Sequence, residues 1–257
     1  MLEREFSFKN STFFSSLAMN AYLDVVEFSE IYSDNYDIKF FNIGSTQCYA
    51  IWDDKDLIYS FRGTEPTKLA DIEADIKFLK TESDSKGKVH RGFKQALDLI
   101  WDDLLNHHNH NITVRHILAK NSERNVYFTG HSLGAALATL AAARLGDSVH
   151  GDIIGYTFGS PRVGNSDFKK AFKPKFYRFR NNNDIVTRHP MEFVGFTHVG
   201  HFNYFDASGK HSHKFSRMFM FKQFIIGMLG GLTRFEIDSF HDHSIVKYCD
   251  LCKRRNI

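Results

Sequence analysis

The chain is poor in cysteine and proline, with three and four of them among 257 residues. Three thiols (Cys48, Cys249 and Cys252) supply no disulfide framework, so a hydrophobic core must hold the fold. Cys249 and Cys252 form a lone CxxC near the end of an expected helix. Zinc would need two more thiolate or imidazole ligands at suitable spacing, and none stands out. Charge of one sign is also lacking: 33 Lys and Arg are interspersed with 30 Asp and Glu. That excess is too small to imply a nucleic-acid partner. The opening "MLEREFSFKN" has no apolar stretch of the kind a secretory signal needs, which leads us to expect a cytoplasmic protein, with export lacking a cleavable signal left open. Long apolar runs are missing too. The greasiest segment, Phe219–Leu232, contains Lys222 and three glycines and falls short of the ~20 residues that span a bilayer. Two glycosylation sequons, at Asn10 and Asn111, carry no weight without a signal.

What is abundant is apolar and aromatic. The composition is 42% hydrophobic with 26 phenylalanines, enough for a sizeable core in one α/β domain. "STFFSSLAMNAYLDVVEF" (Ser11–Phe28) has helical spacing after a Ser/Thr start. "QCYAIW" and "DLIYSF" read as strands joined by the acidic turn "DDKD". "VHRGFKQALDLIWDDLL" places Phe93, Ala96, Leu97, Ile100 and Leu104 on one helical face. "RNVYFT", "GDIIGYTF" and "KFYRFR" read as further strands, the first two as buried parallel ones. This alternation predicts a mostly parallel sheet with helices on both faces. Glu65–Lys88 is polar with a short amphipathic part, and reads either as a mobile flap or as an ordinary surface excursion.

At "VYFTGHSLGAALATLAAARL" (Val126–Leu145) a strand pattern turns into an Ala/Leu-rich helix pattern across Gly130-His131-Ser132-Leu133-Gly134. Gly-x-Ser-x-Gly at a strand-to-helix corner is a nucleophile elbow: a strained turn lifts the serine hydroxyl above the sheet, and the glycines give way where side chains would collide. The helix behind Ser132 directs its partial positive charge at the site. The plainer reading makes Ser132 a helix N-cap. An elbow serine needs an acid and a histidine later in the chain. The acids downstream include Asp147, Asp152, Asp167, Asp184, Asp206 and Asp242. Asp184 is favoured because "FYRFRNNND" puts it in a polar loop just past a strand. Among the eight downstream histidines, spacing alone does not choose.

Beyond the elbow, "SFRGTEP", "KVHRGF", "YTFGSPRVGN", "FYRFRNNNDIVTRHP", "FTHVGHFNYFD" and "DHSIVKY" resemble, in order, the blocks of the class 3 lipases, the fungal-lipase-like branch of the α/β-hydrolases. The resemblance spans about residues 58 to 248. It implies an α/β-hydrolase fold and a carboxylic ester hydrolase that needs no cofactor and no metal. It makes Ser132 the nucleophile, Asp184 the acid and His243 the base, with His241 as the fallback. Thr64 matches the oxyanion residue, and the backbone N–H of Leu133 would be the second donor. It casts Arg62, His90 and Arg162 as scaffold, has His131 pack rather than react, and gives Glu65–Lys88 the position of a lid. The partner so implied is a lipid or acyl ester, in solution or at a membrane or micelle surface. A phospholipase, a small-ester esterase and a catalytically inactive lipase-fold binding module stay open beside the lipase.

Overall fold

The computed structural model describes residues 2–64, 78–106, 125–146, 152–213 and 241–256. The chain opens with helix α1 (Phe8–Asn20), whose N-cap Ser7 accepts a hydrogen bond from the Asn10 backbone. Helix α2 (Val25–Tyr32) follows, capped by Asp24, whose carboxylate accepts from Val26 and Glu27 N–H at 2.9 Å each. The single helix expected over 11–28 is therefore two. Asp24 offers the backbone a local acceptor that starts a new helix instead of extending the old one. Asn10 of the first sequon is fully buried, with its amide donating to Glu3 O at 2.7 Å. The second sequon and the greasy stretch at 219–232 lie outside the described residues.

Strands β1 (Asp37–Ile43), β2 (Thr46–Trp52) and β3 (Asp56–Phe61) form an antiparallel meander. A separate hairpin, β4 (Lys80–Glu82) with β5 (Lys88–His90), precedes helix α3 (Arg91–Asn106). Val89 and His90, read as helical from the sequence, thus end a strand. Of the segment given the lid position, 65–77 lies outside the described residues, and the remainder carries β4 and ends at the first residue of β5. Strand β6 (Asn125–His131) leads into helix α4 (Leu133–Leu145), and β7 (Ile153–Phe158) into the short α5 (Ser166–Ala171). Then come β8 (Lys175–Asn181), β9 (His201–Phe205), β10 (His211–Ser212) and helix α6 (Ile245–Lys253).

Among the described residues, eight strands make one sheet in the order β1-β2-β3-β6-β7-β8-β9-β10, parallel from β3 to β9. Side chains alternate between its faces, so Val126 and Phe128 of β6 join the core under α3 and α4, while Tyr127 joins Phe14 and Leu17 of α1 and Tyr248 of α6 on the other. The mostly parallel sheet covered on both faces is the one the sequence predicts. Because β3, β6, β7 and β8 run in one direction, their carboxyl ends open at one edge, where Thr64, Ser132 and Asp184 lie just beyond strand ends.

Candidate active site

Ser132 occupies the N-cap position of α4 but makes no capping hydrogen bond with its side chain. Its backbone lies at φ 57 and ψ −126, a conformation that costs a non-glycine residue about 1–3 kcal/mol. The plain N-cap reading is therefore replaced by a strained elbow. Ser132 N donates to Phe158 O at 3.0 Å, which ties the corner to β7. The two glycines have different reasons. A Cβ on Gly130 would lie 2.4 Å from the Gly134 carbonyl carbon, and one on Gly134 would lie 2.2 Å from Phe61 O at the end of β3. The elbow is thus pressed against β3, and the Thr64 loop begins there. A Cβ on Gly63 would come within 3.3 Å of Ser132 Cβ.

Asp184 follows β8 and is fully buried. Its Oδ1 accepts from Val186 N–H at 3.0 Å, and both its oxygens meet His243 Nδ1, at 3.0 and 2.9 Å. Tyr248 donates its hydroxyl to Asp184 Oδ2 at 2.5 Å and accepts Asn181 N–H at 2.9 Å. Burial works against a charge on Asp184, but His243 and Tyr248 more than offset it and hold the carboxyl below the ordinary range. Burial and the neighbouring carboxylate push the Tyr248 phenol well up, so it remains a donor. His243 is 2% exposed, and its Nε2 has no partner among the described residues. A neutral imidazole carrying its proton on Nδ1, toward Asp184, leaves Nε2 free to accept one.

The geometry sorts the candidates that spacing could not. His241 is exposed, whereas His243 sits on Asp184. Asp242 is buried but directed elsewhere: it accepts from Asn182 and Asn183 and pairs with Lys247, pinning the loop that carries Asp184. Asp147 and His150 lie outside the described residues. Of the residues cast as scaffold, Arg62 and Arg162 tie loops to their surroundings, whereas the His90 bond is local. Arg62 donates to Gln47 Oε1 at 2.7 Å, and Arg162 donates to the carbonyls of Arg188 and Pro190 and pairs with Glu192. His90 accepts from Phe93 N–H at 3.3 Å. Tyr248 went unnoticed in the sequence because its partner lies 64 residues away. So did Gly159, at φ +61, where a Cβ would stand 2.8 Å from the His243 ring. Tyr22, 3.0 Å from His131 Nδ1, is a third such residue.

The lipase (class 3) family model matches residues 58–194. A mono- and diacylglycerol lipase secreted by Penicillium cyclopium is 29% identical over 171 residues, which cover 64% of this chain and 53% of that protein. Phospholipase A1-II 5 of Oryza sativa subsp. indica is 37% identical over 101 residues, 34% of this chain and 22% of that protein. The chain thus spans about half the length of the first relative and about a fifth of the second. Among solved structures, lipase II from Rhizopus niveus superposes with a TM-score of 0.65 at 27% identity, over 78% of this chain and 81% of that one. The match runs from β3 through the elbow to the loop that carries Asp184, over more than half of the sequence, and this chain belongs to the class 3 lipase family.

Proposed function

We propose that the chain is a serine hydrolase that cleaves carboxylic esters of lipids through an acyl-enzyme. The observation that carries this reading is the buried Asp184–His243 pair, its Nε2 unpartnered, with the His243 ring packed 4.4 Å from that of His131, the residue preceding a serine held at φ 57. Ser132 Oγ attacks the ester carbonyl while His243 Nε2 takes its proton. The same proton then goes to the departing alcohol as the carbon–oxygen bond breaks. Water repeats the sequence on the acyl-serine and releases the fatty acid. Asp184 keeps the His243 Nδ1 proton in place and stabilises the imidazolium, remaining ionised throughout. Thr64 and the Leu133 N–H hold the tetrahedral oxyanion, at about 3–4 kcal/mol per donor.

A fluorophosphonate probe should label the protein at Ser132, and Ser132→Ala should lose both the label and about 10⁴- to 10⁶-fold of ester turnover. His243→Ala should match it, and His241→Ala should keep most of the activity. Labelling at full strength in Ser132→Ala would overturn the reading. An unlabelled, inactive wild type would favour the binding module instead. The similarity to a rice phospholipase A1 supports a second reading, in which the ester belongs to a phospholipid. A panel of triglyceride, monoglyceride, phosphatidylcholine and short nitrophenyl esters separates the two.

A further inference from the structure

His131, the residue just before the nucleophile, is only 3% exposed. Its ring lies against that of His243, with centroids 4.4 Å apart and planes at 34°. Its Nε2 is 2.6 Å from the backbone oxygen of His243. A carbonyl only accepts, so the proton of this bond belongs to Nε2. Burial and the facing His243 ring push the His131 pKa down to about 3, so the imidazole is neutral and its Nδ1 must accept. The group facing Nδ1 is the hydroxyl of Tyr22, at 3.0 Å, in the turn between α1 and α2. Tyr22 therefore donates to His131. The same hydroxyl lies 3.5 Å from Thr64 O, and a Cβ on Gly63 would come within 2.4 Å of it.

One chain of contacts thus starts under the oxyanion loop, passes through Tyr22 and His131, and ends on the backbone of His243. Asp184 orients the His243 ring but holds nothing of its main chain. We propose that His131, backed by Tyr22, is a positioning residue for the ester hydrolysis: its Nε2–H fixes the backbone of His243 and so sets where the proton-accepting nitrogen stands relative to Ser132. A neutral ring is what this place demands. A cation at 4.4 Å would oppose the imidazolium that His243 becomes when it takes the serine proton. Packing alone would need no hydrogen-bond donor at this position. The inference rests on the serine-hydrolase reading, and its test is built to fail separately.

Rates are measured per active site, titrated with a fluorophosphonate, so that misfolded protein does not count. His131→Leu should lower kcat about 10- to 100-fold, the scale of a misplaced catalytic group, and leave KM within about twofold. His131→Gln places an amide N–H near the position of Nε2 and should recover most of that loss. Tyr22→Phe should lower kcat by roughly threefold to tenfold, and adding it to His131→Leu should cost little more, because the two act through one bond. A kcat per site in His131→Leu equal to wild type, or no recovery in His131→Gln, overturns the positioning role. If His131→Leu does not fold, an unchanged kcat in Tyr22→Phe overturns it instead. Ser132→Ala is run beside them. If it is inactive while His131→Leu is fully active, only this inference falls. If Ser132→Ala still hydrolyses esters, the serine-hydrolase reading falls with it.

Discussion

At the scale of the residue, the site rests on one carboxylate with three donors. Asp184 receives His243, Tyr248 and the Val186 N–H while having no contact with solvent. Removing one donor from a buried charge leaves that charge under-solvated, and a hydrogen bond to a charged group is worth about 1.5–3 kcal/mol. Tyr248→Phe should therefore destabilise the protein by about 2–3 kcal/mol, and it also strands the Asn181 N–H. Its effect on kcat should stay well below that of Asp184→Asn, which puts the His243 proton on the wrong nitrogen and should cost about 10⁴-fold. Urea midpoints and turnover measured on the same preparations check both numbers. An unchanged midpoint in Tyr248→Phe would mean that the 2.5 Å contact contributes nothing net.

At the scale of the element, β6, the elbow and α4 were legible because the side-chain period changes from two to helical across five residues, and the glycines mark the corner. What was hidden is what binds that unit to its surroundings. Tyr22 meets His131 across 109 residues, and Tyr248 meets Asp184 across 64. No local pattern announces such pairs. Asp184 was legible from its loop, but the choice of His243 came from the resemblance alone until the 2.9 Å contact supplied a physical reason. The break between α1 and α2 was missed for a different reason. Asp24 reads as an ordinary polar position in a helical stripe, and only its two bonds to Val26 and Glu27 reveal a cap. Two element-scale substitutions follow from this. Asp24→Ala should cost about 1 kcal/mol through the lost cap. Gly134→Ala, with its Cβ directed at Phe61 O 2.2 Å away, should cost about 1–3 kcal/mol or more, since backbone cannot yield as a side chain can. Because β3 leads to Thr64, Gly134→Ala should also slow fluorophosphonate labelling of Ser132. Labelling at the wild-type rate would show that the contact between elbow and β3 does not transmit to the site.

At the scale of the whole molecule, three histidines should make the fold sensitive to acid. His131 is pushed down to about 3 by burial and by His243. His198, whose Nε2 is 2.8 Å from Thr187 O, is pushed well down by burial and then by Arg178, Arg162 and Arg180. His211, lowered to about 4 by burial, His213 and Arg255, is partly exposed and counts for less. A folded-state pKa below the unfolded value means that the unfolded chain binds the extra proton. Stability from such a group is complete above about pH 6.5 and is lost as pH falls below it. Between pH 7.5 and 5.5, His131 and His198 should together remove about 3 kcal/mol, a large share of the 5–15 kcal/mol typical of a domain. For a chain of this size that is a fall in Tm of roughly 6–12 °C. Other titrating groups contribute to the total, so the informative quantity is a difference. His198→Gln keeps a donor for Thr187 O and removes one proton from the balance. Its fall in Tm between pH 7.5 and 5.5, measured at constant ionic strength, should be smaller than that of the wild type by about 3–6 °C. Equal falls in the two proteins would mean that His198 titrates alike in the folded and unfolded chains, and that the acid sensitivity comes from elsewhere.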